Sequence, residues 1–252
     1  MEELCNKVLL NFGQKILKIS KEPKKYLITE LICAHLQLKE NGRKNLRINK
    51  NNKKFVYLIS PNKIKNKDFY AKLNQVLSSK KVSFFQLRLK KEKIINRIYI
   101  GKKIKKICKK YKVKFLINDD PMLAKKINAD GCHLGQKDMN ILKARKILKN
   151  KIIGITCHNS VYLAKKAVED GANYLSFGAF YSSKTKKVKY RADLKILSLA
   201  KKLTNTPIVA IGGIKDTNYK KLLLNKVNFL AISSYIWNNK KLNPKEAINK
   251  LI

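Results

Sequence analysis

Residues 114–138, KFLINDDPMLAKKINADGCHLGQKD, hold one structural pattern and the start of its repeat. A short apolar run, KFLIN, ends in Asp119 and Asp120; Pro121 then opens an amphipathic segment, and a second short run, GCHL, ends in Gly135-Gln136-Lys137-Asp138. Strand, polar loop, helix and strand in that order make a βαβ unit, which requires parallel strands. Reading outward in both directions, the same order recurs eight times. The strands are expected near Phe55, Ser83, Lys114, Gly131, Ile152, Tyr174, Ile208 and Phe229. Spacing averages about 25 residues, enough for a strand and one crossover helix. Eight such units predict an α/β fold, an eight-stranded parallel β/α (TIM) barrel, with an open doubly wound sheet as the competing arrangement.

Between the strands, apolar residues return at helical spacing, as in Ile94, Ile98, Ile104 and Ile107, or Leu163, Ala164, Ala167 and Val168. Residues 1–52 fall outside the pattern and read as an N-terminal extension ending in a Lys/Asn-rich linker; residues 53–252 read as the barrel. Leu4, Val8, Phe12, Ile16 and Ile19 trace one face of a helix within that extension.

The charge of +42, from 58 Lys and Arg against 16 Asp and Glu, first suggests a polyanionic partner. The cations are spread along the whole chain together with many Asn and Ile, which fits a compositional bias better than a nucleic-acid face. Nucleic acid is therefore not the expected partner, whereas phosphate-bearing small substrates would be steered inward by such a field. Cys5, Cys33, Cys108, Cys132 and Cys157 lack any metal-ligand spacing or disulfide framework. With no apolar run of membrane length and acidic residues at positions 2 and 3, a cytoplasmic protein is expected.

In a β/α barrel the reactive groups stand at the C-terminal ends of the strands. Unusual polar residues gather just there. Gln86, Arg88 and Lys90 alternate along the end of the second strand and so share one face, with two cations beside an amide, a set suited to a diphosphate. Asp119 and Asp138 follow neighbouring strands and suit Mg²⁺, which takes one or two carboxylates plus phosphate oxygens and water. Asp120, before Pro121, reads as a helix start. His158 is either an acid-base group or a structural donor. Residues 178–186, GAFYSSKTK, interleave hydroxyls with cations, while Gly212-Gly213 and Ser233 occupy the loops that form the recurrent phosphate site of this fold.

Together the segments FFQLRLK, FLINDDPMLAKKINADGCHLGQKDM, IIGITCHN, GANYLSFGAFYSSKTK, PIVAIGGI and LAISSYI resemble the thiamine-phosphate synthase family, which includes the related thiazole tautomerases. The resemblance covers roughly residues 55–250. It implies Mg²⁺-assisted substitution on 4-amino-2-methyl-5-hydroxymethylpyrimidine diphosphate by the nitrogen of a thiazole phosphate, with pyrophosphate leaving. It further implies that Gln86, Arg88, Lys90, Asn118 and Lys186 bind the pyrimidine diphosphate, with Arg88, Lys90 and Lys186 catalytic and Asp119 and Asp138 holding Mg²⁺. Thr156 stands where the family commonly has Ser. Thr185, Gly213, Ile232 and Ser233 fall at thiazole-phosphate positions, and Ser182-Ser183 replaces the family's Pro-Thr, with Ser183 still counted as substrate-binding. Two alternatives accompany this reading: a tautomerase using His158 for proton transfer without Mg²⁺, and a non-catalytic basic barrel that binds nucleic acid. A homo-oligomer is compatible with either.

Overall fold

The computed structural model describes residues 54–64, 68–182 and 190–251. The expected extension, and with it Ser183, Thr185 and Lys186, lies outside the described residues. Within them the order is β1 (Val56–Ile59), α1 (Asp68–Leu77), β2 (Val82–Leu87), α2 (Ile94–Lys110), β3 (Lys114–Asn118), α3 (Pro121–Lys126), β4 (Gly131–Leu134), α4 (Ile141–Leu148), β5 (Ile152–His158), α5 (Val161–Glu169), β6 (Tyr174–Gly178), α6 (Lys195–Leu203), β7 (Ile208–Ile211), α7 (Tyr219–Leu224), β8 (Phe229–Ile232), α8 (Ser234–Trp237) and α9 (Pro244–Asn249). All eight strands are parallel and close on themselves, β1 pairing with β8 through Val56 opposite Leu230. The TIM barrel expected from the repeat is the observed fold, and closure leaves no sheet edge to protect.

Alternation along each strand sorts side chains into two cores. Tyr57, Phe84, Leu116, Tyr174, Val209 and Phe229 fill the barrel interior. Their neighbours in sequence, among them Leu58, Phe85, Phe115, Leu175 and Leu230, pack outward beneath the helices. On α2 the buried line is Ile100, Ile104 and Cys108, whereas Ile94 at the first turn is 46% exposed. The helix-facing stripe therefore lies slightly off the one that isoleucine spacing alone suggests.

Local signals start the helices. Asp120 Oδ1 accepts from Leu123 N at 2.8 Å with Pro121 in the first turn, Asn140 Oδ1 accepts from Lys143 N, and Asn243 forms a capping box with Glu246. At the opposite, N-terminal end of the barrel one device recurs three times. The residue just before β4, β6 and β8 is Asp130, Asn173 and Asn228, and each accepts a main-chain N-H from the preceding strand, at Phe115, Ile153 and Ile208, all at 2.8 Å. These bonds tie adjacent strands where the crossover enters, and polar residues at that end serve stability.

Candidate active site

The end of β2 presents its side chains as alternation requires. Leu87 and Leu89 are buried in the outer core, which leaves Gln86 and Arg88 on the interior side. Gln86 is buried and its Nε2 donates to Asn118 Oδ1 at the end of β3. Arg88 Nη1 donates to Asn62 Oδ1 at 3.0 Å, and its backbone N-H reaches Ser60 Oγ after β1 at 2.9 Å. Lys90 pairs with Asp119, Nζ to Oδ2, at 2.6 Å.

Asp119 takes a positive φ of 64°, with its N-H on the His133 carbonyl at 2.8 Å. Its carboxyl lies against that of Asp138, whose other contact is the Gly135 N-H at 2.7 Å. Burial first, then the Asp119 neighbour, push the Asp138 carboxyl up, opposed by the Gly135 N-H and Lys90. Two carboxyls at one point favour a shared proton or a cation between them, and the Lys90 ammonium already lies on Asp119. Among the described residues no group of three or more His, Cys, Asp or Glu side chains forms a cation site. The pair therefore suits a hard ion that completes its shell with phosphate oxygens and water, as Mg²⁺ does. Asp120 points away into its helix cap and an ion pair with Arg97 at 3.3 Å, so it plays the structural part expected of it. A cleft of about 180 Å³ beside Lys90 and Asp119 is walled by Leu87, Leu89, Ile117 and Leu123, which face outward. It lies between sheet and helices, away from the barrel axis.

Across the rim, Thr156 is half-buried at the end of β5, and Gln136 Nε2 donates to its carbonyl. His158, at φ 53°, sets its ring against that of Tyr190, tilted by 32° with centroids 4.3 Å apart. Gly213 has φ +61°, and a Cβ there would stand 2.3 Å from the Ser182 carbonyl oxygen. The glycine pair thus admits the backbone of the loop after β6, which donates from Phe180 N to the Ile211 carbonyl and from Tyr181 N to the Gly212 carbonyl. Ser233 Oγ donates to the Ser60 carbonyl at 3.1 Å. The Ile232 side chain belongs to the outer core, so only its backbone is left to meet a ligand.

Residues 56–236 match the model of the family described as thiamine monophosphate synthase. The chain belongs to that family. It is 74% identical over 206 residues to the thiamine-phosphate synthase of Pelagibacter ubique, covering 82% of this chain and all of the relative. It is 38% identical to the thiamine-phosphate synthase of Nitrosomonas eutropha, over 72% of this chain and 86% of that one. Among solved structures, thiamine phosphate pyrophosphorylase from Pyrococcus furiosus superposes with a TM-score of 0.69 at 26% identity, covering 79% of this chain and 94% of that one.

Within this thiamine monophosphate synthase family member, sequence reasoning missed one site residue. His133, the inward side chain of β4, places Nδ1 2.8 Å from Tyr174 Oη and Nε2 2.9 Å from Thr156 Oγ1. Tyr57 Oη lies 2.7 Å from Tyr174 Oη. A histidine inside an apolar strand reads as core, and only its even register with Gln86 and Asn118 marks it as inward. Burial pushes its pKa down from 6.5 to about 4, against the opposing pull of Asp119. The unfolded chain binds this proton more readily, so the contribution is complete above about pH 6.5 and falls as pH drops toward 4, by at most about 1.4 kcal/mol per pH unit. His133→Gln is expected to flatten this acid limb in urea denaturation between pH 4 and 7; a limb of unchanged slope would remove His133 as its cause.

Proposed function

We propose that this chain joins 4-amino-2-methyl-5-hydroxymethylpyrimidine diphosphate to a thiazole phosphate and releases pyrophosphate, forming thiamine phosphate with Mg²⁺. Family membership makes it an enzyme of the transferase class. The observation that supports the finer reading is the Lys90–Asp119 ion pair lying against Asp138, with Arg88 on the interior side of the same end of β2.

The chemistry follows from charge. Pyrophosphate departs as a polyanion, so groups aimed at the developing charge lower the barrier most. Arg88 offers a planar fork to phosphate oxygens, and Lys90 a mobile point charge. Gln86 and Asn118, locked to each other, orient the pyrimidine end. Asp119 and Asp138 would hold Mg²⁺, which when bound would supply further positive charge against the diphosphate. The thiazole nitrogen already carries a lone pair, so no general base is required. Lys186 is assigned to the same phosphates, and Thr185, Gly213, Ser233 and the Ile232 backbone to the thiazole phosphate, with Ser183 counted as substrate-binding. A tautomerase would have no use for the carboxylate pair.

We assign catalysis to residues 53–252. The Pelagibacter relative is matched over its whole length while covering 82% of this chain, which supports a separate extension over residues 1–52. No described helix is long and apolar enough to cross a membrane, and Cys108, Cys132 and Cys157 are free thiols, in keeping with a cytoplasmic site of action.

Incubating the protein with both substrates and Mg²⁺ should yield thiamine phosphate by mass, and chelation should stop it. Absence of product from the intact chain would overturn the reading. Inorganic phosphate is expected to compete with the thiazole phosphate, raising its KM without changing kcat; uncompetitive or absent inhibition would remove Gly213 and Ser233 from that role.

A further inference from the structure

The buried chain Tyr57–Tyr174–His133–Thr156 carries a directional argument. Its four groups are joined by three hydrogen bonds. With a neutral imidazole each group owns one hydrogen, so three are used within the chain and one is left over. Where the surplus falls is decided by surroundings. Tyr57 is 1% exposed and set among Phe84, Tyr174 and other apolar interior side chains, with no second partner for its hydroxyl among the described residues. Leaving its hydrogen unbonded there would cost the full desolvation of a donor. An imidazolium, or an Nδ1-H tautomer, would also leave a buried hydrogen unbonded, on Tyr57 if Tyr174 donates back to it or on Tyr174, equally buried, if its oxygen accepts from both neighbours. Thr156 is half-buried near the mouth, so a hydrogen left there can meet a ligand.

Tyr57 therefore donates to Tyr174, Tyr174 donates to His133 Nδ1, and His133 Nε2-H donates to Thr156 Oγ1. We infer that this chain fixes His133 as its Nε2-H tautomer and thereby commits the Thr156 hydroxyl to donate outward, to an anionic oxygen of the bound diphosphate. Tyr174 and His133 are positioning residues, since neither needs to touch substrate. The inference rests on the function proposed above for its ligand, but the tautomer does not.

Two measurements test it. Nitrogen-15 NMR of histidine-labelled full-length protein at neutral pH, with His133→Gln used to assign the signal, should show Nε2 protonated and Nδ1 bare. An Nδ1-H tautomer or an imidazolium overturns the inference, whatever reaction the protein catalyses. The second compares Tyr57→Phe with Tyr174→Phe, each of which deletes one hydroxyl from the same buried pair. Tyr57→Phe leaves Tyr174 donating to His133, and thiamine phosphate formation should fall less than about threefold. Tyr174→Phe frees the tautomer, and kcat should drop about tenfold, a part of what loss of a whole transition-state donor brings. Weaker binding of pyrophosphate by Tyr174→Phe than by Tyr57→Phe, read by calorimetry with Mg²⁺, should accompany it. Equal losses in both variants would mean that the pair only packs the core, and would overturn the functional half. If the wild type makes no product, the proposed reaction fails while the tautomer result stands.

Discussion

Replacing Asp119 with Asn is expected to lower thiamine phosphate formation about 10²- to 10³-fold while the melting temperature stays close to that of the wild type. The choice of Asn matters. Asp119 sits at φ 64°, a left-handed conformation that Asn and Asp tolerate and most other residues do not. An alanine there would mix backbone strain with loss of charge, whereas Asn keeps the shape and removes the charge alone. The carboxylate meets both Lys90, at 2.6 Å, and Asp138. Without it, Lys90 loses the partner that directs its ammonium, and the proposed cation site would fall from two acidic ligands to one. The rate should be followed against Mg²⁺ concentration. A shift to much higher Mg²⁺ demand supports the ligand role, and undiminished turnover at ordinary Mg²⁺ would remove the metal assignment.

Gly154→Ala is expected to destabilise the barrel by about 3 kcal/mol or more, lowering the melting temperature by roughly 6–12 °C. A Cβ at this inward position of β5 would lie 1.8 Å from Cζ of Tyr174 and 2.2 and 2.3 Å from its ring Cε atoms. The ring has nowhere to retreat. His133 stacks on it at 5.6 Å, Tyr57 meets its edge at 5.7 Å and Phe84 tilts against it at 6.1 Å. Relief requires moving the ring and with it the Tyr57 and His133 hydrogen bonds. Gly171→Ala is the control: φ is +86° there, but nothing lies within 4 Å, so backbone strain of about 1 kcal/mol is the whole expected effect. Adding Tyr174→Leu to Gly154→Ala should cost less than the sum of the two changes, because they share one clash. Strict additivity would place the damage elsewhere.

Much of this site could be read along the chain because barrel strands report their own ends. Gln86 and Arg88 stand where alternation puts them, and Asp119 and Asp138 follow strands that are neighbours in both sequence and space. Asp120 was legible for the same local reason, since a carboxylate before Pro121 is a cap. His133 was not, because its meaning comes from Tyr174 and Thr156, 41 and 23 residues away. Gly212-Gly213 was half legible: a backbone needing close approach was evident, but the partner proved to be the loop after β6.

Periodicity alone determined the eight parallel strands, which residues face inward and which rim collects the charged groups, because each of these follows from spacing within one strand or one strand-helix unit. Only the closed tertiary structure decided that Gly154 must lack a side chain, that Asp130, Asn173 and Asn228 stitch one strand to the next, and that a tyrosine pair stands behind His133. Those are contacts between neighbouring strands or across the barrel interior, 15 to 117 residues apart along the chain, and no run of adjacent residues contains them.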